Sequence, residues 1–124
     1  MTTILHLEDD GPLRDILAKA VKNTAPDIVL EQFTTSNQVL TYLEDHIMSV
    51  DLFILDIRVN GEMDGLELSQ KIREMGSHRP IIITSAYIKP QPTKLRELNA
   101  RWMAKPWHIL ELADTIIPLA ISKL

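Results

Sequence analysis

Short runs of consecutive apolar residues alternate along this chain with segments in which apolar residues recur every three or four positions. The runs predict buried β-strands, and the spaced segments predict amphipathic α-helices. The predicted strands cover residues 4–7, 28–33, 51–56, 81–83 and 101–104. The predicted helices cover residues 13–21, 36–47, 66–75, 93–98 and 109–121.

Local signals refine the ends of these helices. Ser36 is a suitable N-cap for the second helix, and Gly76 is a suitable terminator for the third. Pro90 and Pro92 should delay and shorten the fourth helix, because proline cannot donate a backbone hydrogen bond. For the same reason Pro118 should kink or end the fifth helix.

Strands that alternate with helices predict an α/β fold with a parallel sheet. Right-handed crossovers place helices on both faces, so we expect one doubly wound, five-stranded domain covering residues 1–124. Ligands of this fold class bind beyond the carboxyl ends of the strands. Candidate functional residues should therefore lie just after the predicted strands.

Composition narrows the class of protein. The 124 residues are 45% hydrophobic and 24% charged, which is typical of one soluble globular domain. No cysteine is present, which excludes disulfides and fits a cytoplasmic location. The net charge of −4 argues against nucleic-acid binding, and no apolar run is long enough to predict a membrane span.

Polar side chains suited to phosphoryl chemistry follow four of the predicted strands. In chain order they are Glu8-Asp9-Asp10, Asp56, Thr84-Ser85 and Lys105. Because the carboxyl ends of parallel strands share one edge of the sheet, these groups should converge. Clustered carboxylates repel one another, and Mg²⁺ would relieve that repulsion while Lys105 adds a fixed positive charge. The set suits an aspartate that attacks phosphorus while cations neutralise the phosphoryl oxygens.

Each of these residues taken alone also has a structural interpretation. Acidic residues near a helix start can stabilise the helix dipole, Asp56 could cap a turn, and Lys105 could be an ordinary surface lysine. We favour the functional interpretation because four independent strand ends carry the required residue types.

The histidines lack the spacing of metal ligands, so no metal role is expected for any of the four, His6, His46, His78 and His108. His6 lies in the first predicted strand and should be a hydrogen-bonded packing residue.

Five blocks of sequence in this order resemble the receiver domain of two-component response regulators. They are residues 4–10, 51–56, 63–68, 80–86 and 105–107, and they extend over nearly the whole chain. The resemblance implies a flavodoxin-like fold with strand order 2-1-3-4-5. It also implies a phosphorelay function, in which a sensor histidine kinase or a histidine phosphotransfer protein phosphorylates Asp56 and thereby switches a protein-binding surface.

The resemblance further implies roles for single residues at the site. Asp56 would accept the phosphoryl group, Ser85 would contact it through its hydroxyl, and Lys105 would pair with it. We prefer Ser85 to Thr84 because an alanine, Ala86, usually follows the sensing hydroxyl.

The implied metal ion is Mg²⁺. Its ligands would be Glu8, Asp9, Asp56 and the backbone carbonyl of Arg58, with Glu8 acting through water. We prefer Glu8-Asp9 to Asp9-Asp10 because the acidic pair normally follows the strand immediately.

Three more positions are matched by resemblance. Trp102 resembles an aromatic switch residue that turns inward on phosphorylation, although a half-buried edge-strand tryptophan fits the same pattern. Arg58 and Tyr87 should flank the acyl phosphate and modulate its hydrolysis by shielding phosphorus from water. The stretch 58–65 is one residue longer than usual and carries Asn60-Gly61 in place of the common proline.

Two other classes of function were compared with a phosphoacceptor. An aspartyl-phosphate phosphohydrolase would need a second aspartate two residues after Asp56, where Arg58 stands. A non-phosphorylated interaction scaffold would not need the complete acidic set. We therefore expect no enzyme activity beyond self-catalysed phosphorylation and dephosphorylation. The expected output is a downstream protein target, or a domain outside this chain, reached by a monomer or a phosphorylation-dependent dimer.

Overall fold

The structure, a computed structural model, describes residues 1–107 and 109–122. Within these ranges five strands alternate with five α-helices. The strands are β1 (Thr3–Leu7), β2 (Val29–Phe33), β3 (Leu52–Asp56), β4 (Ile81–Ser85) and β5 (Ala100–Ala104). The helices are α1 (Gly11–Thr24), α2 (Ser36–His46), α3 (Gly65–Glu74), α4 (Pro92–Leu98) and α5 (Ile109–Ile121). A 3₁₀ turn, Ile47–Ser49, follows α2.

The strands form one parallel sheet in the order β2-β1-β3-β4-β5, which confirms the predicted fold and strand order. The chain reverses its winding between β1 and β3, the point where such sheets open a crevice. In the register, Leu7 pairs with Leu55 and Asp56 pairs with Thr84, so the carboxyl ends of the central strands are nearly level. The candidate residues therefore emerge at one edge of the sheet.

Side-chain alternation sends neighbouring residues of the central strands into two separate cores. In β3, Leu52 and Ile54 pack with α1 and α5, whereas Phe53 and Leu55 pack with α2 and α3. All four side chains are at most 1% exposed. Burial on both faces explains why the central strands are continuous apolar runs in the sequence.

Of the two predictions about helix ends, one is confirmed and one is wrong. Gly76, with φ of 97°, follows the end of α3 as expected. The prediction that Ser36 caps α2 is wrong, because Thr35 is the N-cap and forms a capping box with Gln38. Ser36 is instead the first residue of the helix, and its side chain is fully buried.

The predictions made from the prolines are confirmed in part. The short α4 is confirmed, and Pro92 is its first residue, where a missing N–H costs no helix hydrogen bond. The fifth helix does not end at Pro118 but continues to Ile121, while the alternative of a kink stays a prediction. Pro118 and Asp114, whose carbonyl loses its amide donor, are both exposed, so water can solvate that carbonyl.

Two charged side chains form hydrogen bonds with backbone groups at the end of the sheet opposite the candidate residues. The Asp51 carboxylate accepts the backbone N–H of Thr3 at 2.9 Å. Arg73 donates to four backbone carbonyls at 3.1 Å or less, and burial lowers its pKa. These acceptors are the carbonyls of Ser77, Arg79, Leu98 and Asn99.

None of the helices in the described ranges combines the length and the hydropathy that crossing a bilayer would require.

Candidate functional site

Three carboxylates meet at the carboxyl edge of the sheet. Glu8 and Asp9 directly follow β1, and Asp56 is the last residue of β3. One oxygen atom from each carboxylate lies within 4.8 Å of the other two. Glu8 and Asp56 are buried, whereas Asp9 is exposed to solvent. The acids that the sequence placed at two strand ends are therefore brought together in the fold.

Lys105 reaches two of these carboxylates from the loop after β5. Its Nζ donates to Glu8 Oε1 at 2.9 Å and to Asp56 Oδ2 at 2.8 Å. The backbone N–H of Lys105 donates to the Ser85 carbonyl at 2.9 Å, which prolongs the β4–β5 pairing and directs the side chain to the site. The Lys105 side chain is only 11% exposed, so salt screens these ion pairs weakly.

The electrostatics of the site favour a further cation. Burial raises the pKa of Glu8 to about 7 although its hydrogen bond with Lys105 acts in the opposite direction, and nearby Asp56 adds to the rise. Burial alone would lower the pKa of Lys105, but Asp56 and Glu8 together raise it. One ammonium thus faces three carboxylates, and a cation would relieve the remaining repulsion.

Asp10 does not belong to this cluster. Its side chain caps α1 by accepting the backbone N–H of Leu13 at 3.2 Å. Its own backbone N–H donates to Glu8 Oε2 at 3.3 Å. The geometry therefore favours Glu8-Asp9 over Asp9-Asp10 as the acidic pair.

The clustered groups line an open cleft of about 220 Å³. Arg58 and Tyr87 lie at its sides, where the sequence placed them. Tyr87 is 94% exposed, so its ring extends into solvent and does not cover the cleft. The backbone N–H of Arg58 donates to Asp56 Oδ1 at 3.3 Å.

Ser85 lines the cleft and connects it to Trp102. The Ser85 hydroxyl donates to the backbone carbonyl of Ile88 and accepts the indole N–H of Trp102 at 2.9 Å. The Thr84 hydroxyl is buried and has no hydrogen-bond partner among the described residues. Trp102 is half-buried, and Lys89 Nζ lies 5.3 Å from its ring centroid.

His6 packs beneath the site as a neutral ring. Its Nδ1 lies 3.1 Å from Gln32 Nε2, and its ring centroid lies 5.4 Å from that of Trp107. Burial lowers the pKa of His6 to about 3, and the charges of Lys105 and Arg14 act in the same direction. The prediction of a hydrogen-bonded packing residue is confirmed at Nδ1, whereas the buried Nε2 has no hydrogen-bond partner among the described residues.

His46 and His78 do not line the cleft. The ring of His46 stacks on Tyr42 with centroids 4.4 Å apart. In the part of the chain that the structure describes, the group of His, Cys, Asp or Glu residues close enough to hold a metal consists of Glu8, Asp9 and Asp56. The expectation for His108 concerns a residue outside the described ranges.

Three residues that the sequence did not assign to the site support it structurally. Gly65 packs against the backbone of Asp56, where a Cβ atom would lie 2.8 Å from the Asp56 carbonyl carbon. Ser36 and Asn37 accept hydrogen bonds from the loop between β3 and α3. The contacts of Ser36 and Asn37 join residues 25 and 27 positions apart, so no local sequence signal could have identified them.

Known proteins provide a family assignment. The family model of the response regulator receiver domain matches residues 4–117. The cyclic di-GMP phosphodiesterase response regulator RpfG of Xanthomonas campestris pv. campestris (strain 8004) is 32% identical over 113 residues, which are 88% of this chain and 29% of that protein. The uncharacterized transcriptional regulatory protein YbdJ of Bacillus subtilis (strain 168) is 32% identical over 111 residues, which are 88% of this chain and 46% of that protein. This chain thus spans less than half the length of either relative.

A solved structure supports the fold independently. A CheY-like receiver domain protein of Methanospirillum hungatei JF-1 is similar with a TM-score of 0.80 and 20% identity, over 94% of this chain and 90% of that one. The observed strand order and the family match over residues 4–117 point to the same family. The chain belongs to the receiver domain family of two-component response regulators.

Proposed function

We propose that this receiver domain is a phosphorylation switch in which Asp56 accepts a phosphoryl group from a phosphohistidine of a sensor kinase or a histidine phosphotransfer protein. The observation that carries the proposal is the position of the Lys105 ammonium, 2.8 Å from Asp56 and 2.9 Å from Glu8 at the mouth of the cleft. Asp56 is the acceptor because it ends the central strand and lies at the centre of these contacts.

The transfer exchanges one bond to phosphorus for another. A carboxylate oxygen of Asp56 bonds to phosphorus while the P–N bond to the donor imidazole breaks, and the departing nitrogen keeps the electron pair. Lys105 neutralises negative charge on the phosphoryl oxygens. The Ser85 hydroxyl turns from the carbonyl of Ile88 and donates to one of those oxygens. Attack by water later returns the free carboxylate and inorganic phosphate.

Glu8, Asp9 and Asp56 fit a Mg²⁺ site, with the backbone carbonyl of Arg58 as a further oxygen ligand. Mg²⁺ prefers oxygen ligands and keeps several waters, so few protein ligands suffice. When bound, the ion supplies positive charge that offsets the carboxylates and the phosphoryl oxygens. Asp9 is exposed and would be the more accessible ligand, whereas Glu8 is buried and would act through water.

Trp102 connects the site to the proposed output surface. Its indole N–H is bonded to the Ser85 hydroxyl, so a change in the direction of that hydroxyl alters the environment of the ring. Phosphorylation then favours one of two conformers because the phosphoryl contacts stabilise only that conformer. We propose that a downstream protein binds the changed surface, with the domain acting as a monomer or as a phosphorylation-dependent dimer.

Arg58 and Tyr87 are proposed to slow hydrolysis of the acyl phosphate by shielding phosphorus. Because Tyr87 is 94% exposed, its ring must fold over the cleft after phosphorylation to do so. Tyr87→Ala should then shorten the lifetime of the phosphorylated form, whereas Met48→Ala, which removes another exposed side chain outside the cleft, should leave it unchanged. An unchanged lifetime in Tyr87→Ala would exclude shielding by that ring.

Phosphorylation with a small-molecule donor tests the proposal directly. The wild-type chain is incubated with acetyl phosphate and MgCl₂, and intact mass measures the added phosphoryl group. Asp56→Asn should abolish the addition, chelation of Mg²⁺ should suppress it, and Asp27→Asn, which removes an exposed carboxylate elsewhere, should not affect it. Phosphorylation that persists in Asp56→Asn would refute the role of Asp56, and continuous turnover of a generic phosphate ester would instead indicate a phosphohydrolase.

A further inference from the structure

The loop between β3 and α3 is fastened to the start of α2 by three hydrogen bonds. The backbone N–H of Ser36 donates to the Asn60 carbonyl at 3.0 Å. In return, the Ser36 hydroxyl accepts the N–H of Met63 at 3.1 Å. The Asn37 Oδ1 atom accepts the N–H of Glu62 at 2.9 Å. We call this set of contacts the α2 clamp.

Gly61 allows the loop to approach the helix so closely. Its φ is +119°, a backbone conformation that residues other than glycine rarely adopt. A Cβ atom at this position would lie 2.6 Å from Asn37 Oδ1 and would collide with the Ser36 hydroxyl. The Asn60-Gly61 pair, which stands where the family usually has proline, therefore shapes the loop to fit the α2 clamp.

The clamped residues are close in sequence to the site. Asn60 comes two residues after Arg58, whose N–H contacts Asp56 Oδ1 and whose carbonyl is a proposed Mg²⁺ ligand. On the other side of the loop, the N–H of Gly65 donates to the Ile57 carbonyl at 3.0 Å. Since peptide units are rigid, fixing the loop on both sides leaves few backbone torsions that can redirect the Arg58 carbonyl.

We propose that Ser36 and Asn37 are positioning residues of the Mg²⁺ site, which fix the β3–α3 loop so that Arg58 is held beside the acidic cluster before the ion binds. This inference rests on the proposed function, because it takes Glu8, Asp9 and Asp56 to bind Mg²⁺. A ligand that is held in place before binding loses less conformational entropy when the ion arrives. Outer contacts that orient metal ligands commonly change metal affinity by 10-fold or more when removed.

The two residues suit different experimental changes. Asn37 is exposed, and alanine is well tolerated inside a helix, so Asn37→Ala removes one clamp contact without threatening the fold. Asn37→Asp keeps an oxygen acceptor at the same place. Ser36 is buried, and Ser36→Ala removes only its hydroxyl. Thr41→Ala is the matched control, because Thr41 donates to the Asn37 carbonyl within α2 and does not touch the loop.

Titration of the unphosphorylated chain with MgCl₂, followed by backbone amide NMR signals, measures the Mg²⁺ Kd. We expect Asn37→Ala to weaken binding about threefold and the double variant Ser36→Ala/Asn37→Ala about tenfold. Asn37→Asp should bind Mg²⁺ at least as tightly as the wild type, and Thr41→Ala should match the wild type. Amide exchange at Glu62 and Met63 should accelerate in the alanine variants even without Mg²⁺.

The outcomes separate this inference from the proposed function. Wild-type binding of Mg²⁺ with an unchanged Kd in the double variant would overturn the role of the α2 clamp alone. An Asn37→Asp variant as weak as Asn37→Ala would overturn it as well, because the acceptor is then irrelevant. Absence of saturable Mg²⁺ binding in the wild type would overturn the proposed metal site itself. If the double variant does not give a folded NMR spectrum, the exposed Asn37 variants decide the question.

Discussion

Replacing Gly65 with alanine should disturb the end of β3 although it adds a single methyl group. Gly65 is the first residue of α3 and lies against the backbone of the preceding strand. An added Cβ would lie 2.8 Å from the Asp56 carbonyl carbon and 3.0 Å from the Ile57 Cα, and it would come closer still to the Asp56 carbonyl oxygen. These are backbone atoms, so no side-chain rotation can relieve the overlap.

The size of the effect can be estimated from a matched substitution. Gly11 is the first residue of α1, and a Cβ there meets only the guanidinium of Arg14 at 3.6 Å, an ordinary contact. Both substitutions restrict the unfolded chain, and at position 11 the following Pro12 also disfavours the helical conformation of alanine, so the difference between the two variants is a lower limit for the effect at Gly65. That effect is the cost of overpacking, about 1–3 kcal/mol. We expect the upper end, about 3 kcal/mol, because Asp56 and Ile57 are themselves fixed in the sheet.

Urea denaturation followed by circular dichroism measures this difference. Gly65→Ala should unfold at a lower urea concentration with an unchanged m-value, while Gly11→Ala should lose less stability, because only the restriction by Pro12 opposes alanine there. Gly65→Ala should also accept phosphate from acetyl phosphate more slowly, since the Asp56 backbone must shift. If the free energies of unfolding of the two variants agreed within about 0.5 kcal/mol, the close approach of Gly65 to Asp56 would be refuted.

Three more outcomes are expected from charged and titratable groups. His6 has a pKa of about 3 when folded and 6.5 when unfolded, so stability falls as the pH drops below 6.5. From pH 7 to pH 5 the wild type should lose about 2 kcal/mol more than His6→Asn in urea unfolding, and equal losses would contradict a neutral buried ring. Arg73→Met should lower the free energy of unfolding by about 3 kcal/mol in the same assay, because four carbonyls lose their donor. Full wild-type stability in Arg73→Lys would show that the planar guanidinium is not required. Lys105→Met should make the melting temperature depend more strongly on MgCl₂ because Glu8 and Asp56 lose their ammonium partner, and an unchanged dependence would argue against a shared site.

The sequence predicted the fold well because the central strands are buried on both faces. Such strands leave a continuous apolar run such as 52–55. The convergence of Glu8, Asp56 and Lys105 followed from the same reasoning, since parallel strands bring their carboxyl ends to one edge.

Individual side-chain hydrogen bonds that depend on the detailed alignment of loops and strands could not be predicted. Thr35 and Ser36 are both good N-cap residues by type. In the fold, the Ser36 hydroxyl accepts the N–H of Met63, and Thr35 is the N-cap. The bond from Trp102 to Ser85 likewise joins two strands whose register was unknown beforehand. The alternative that Pro118 ends the fifth helix was wrong because a helix can contain proline where water reaches the carbonyl that lost its donor.

The four carbonyl contacts of Arg73 have a mechanical consequence for α4. They tie the carboxyl end of that helix, at Leu98 and Asn99, to the loop before β4. At the other end residues 86–89 are exposed, and the N-cap Gln91 makes no side-chain capping bond to any described residue. A rod about 10 Å long that is fixed at one end works as a lever, so a tilt of about 10° moves its free tip by nearly 2 Å. A displacement of residues 86–89 beside the cleft is thereby passed on to the first turn of α4, while its last turn stays in place.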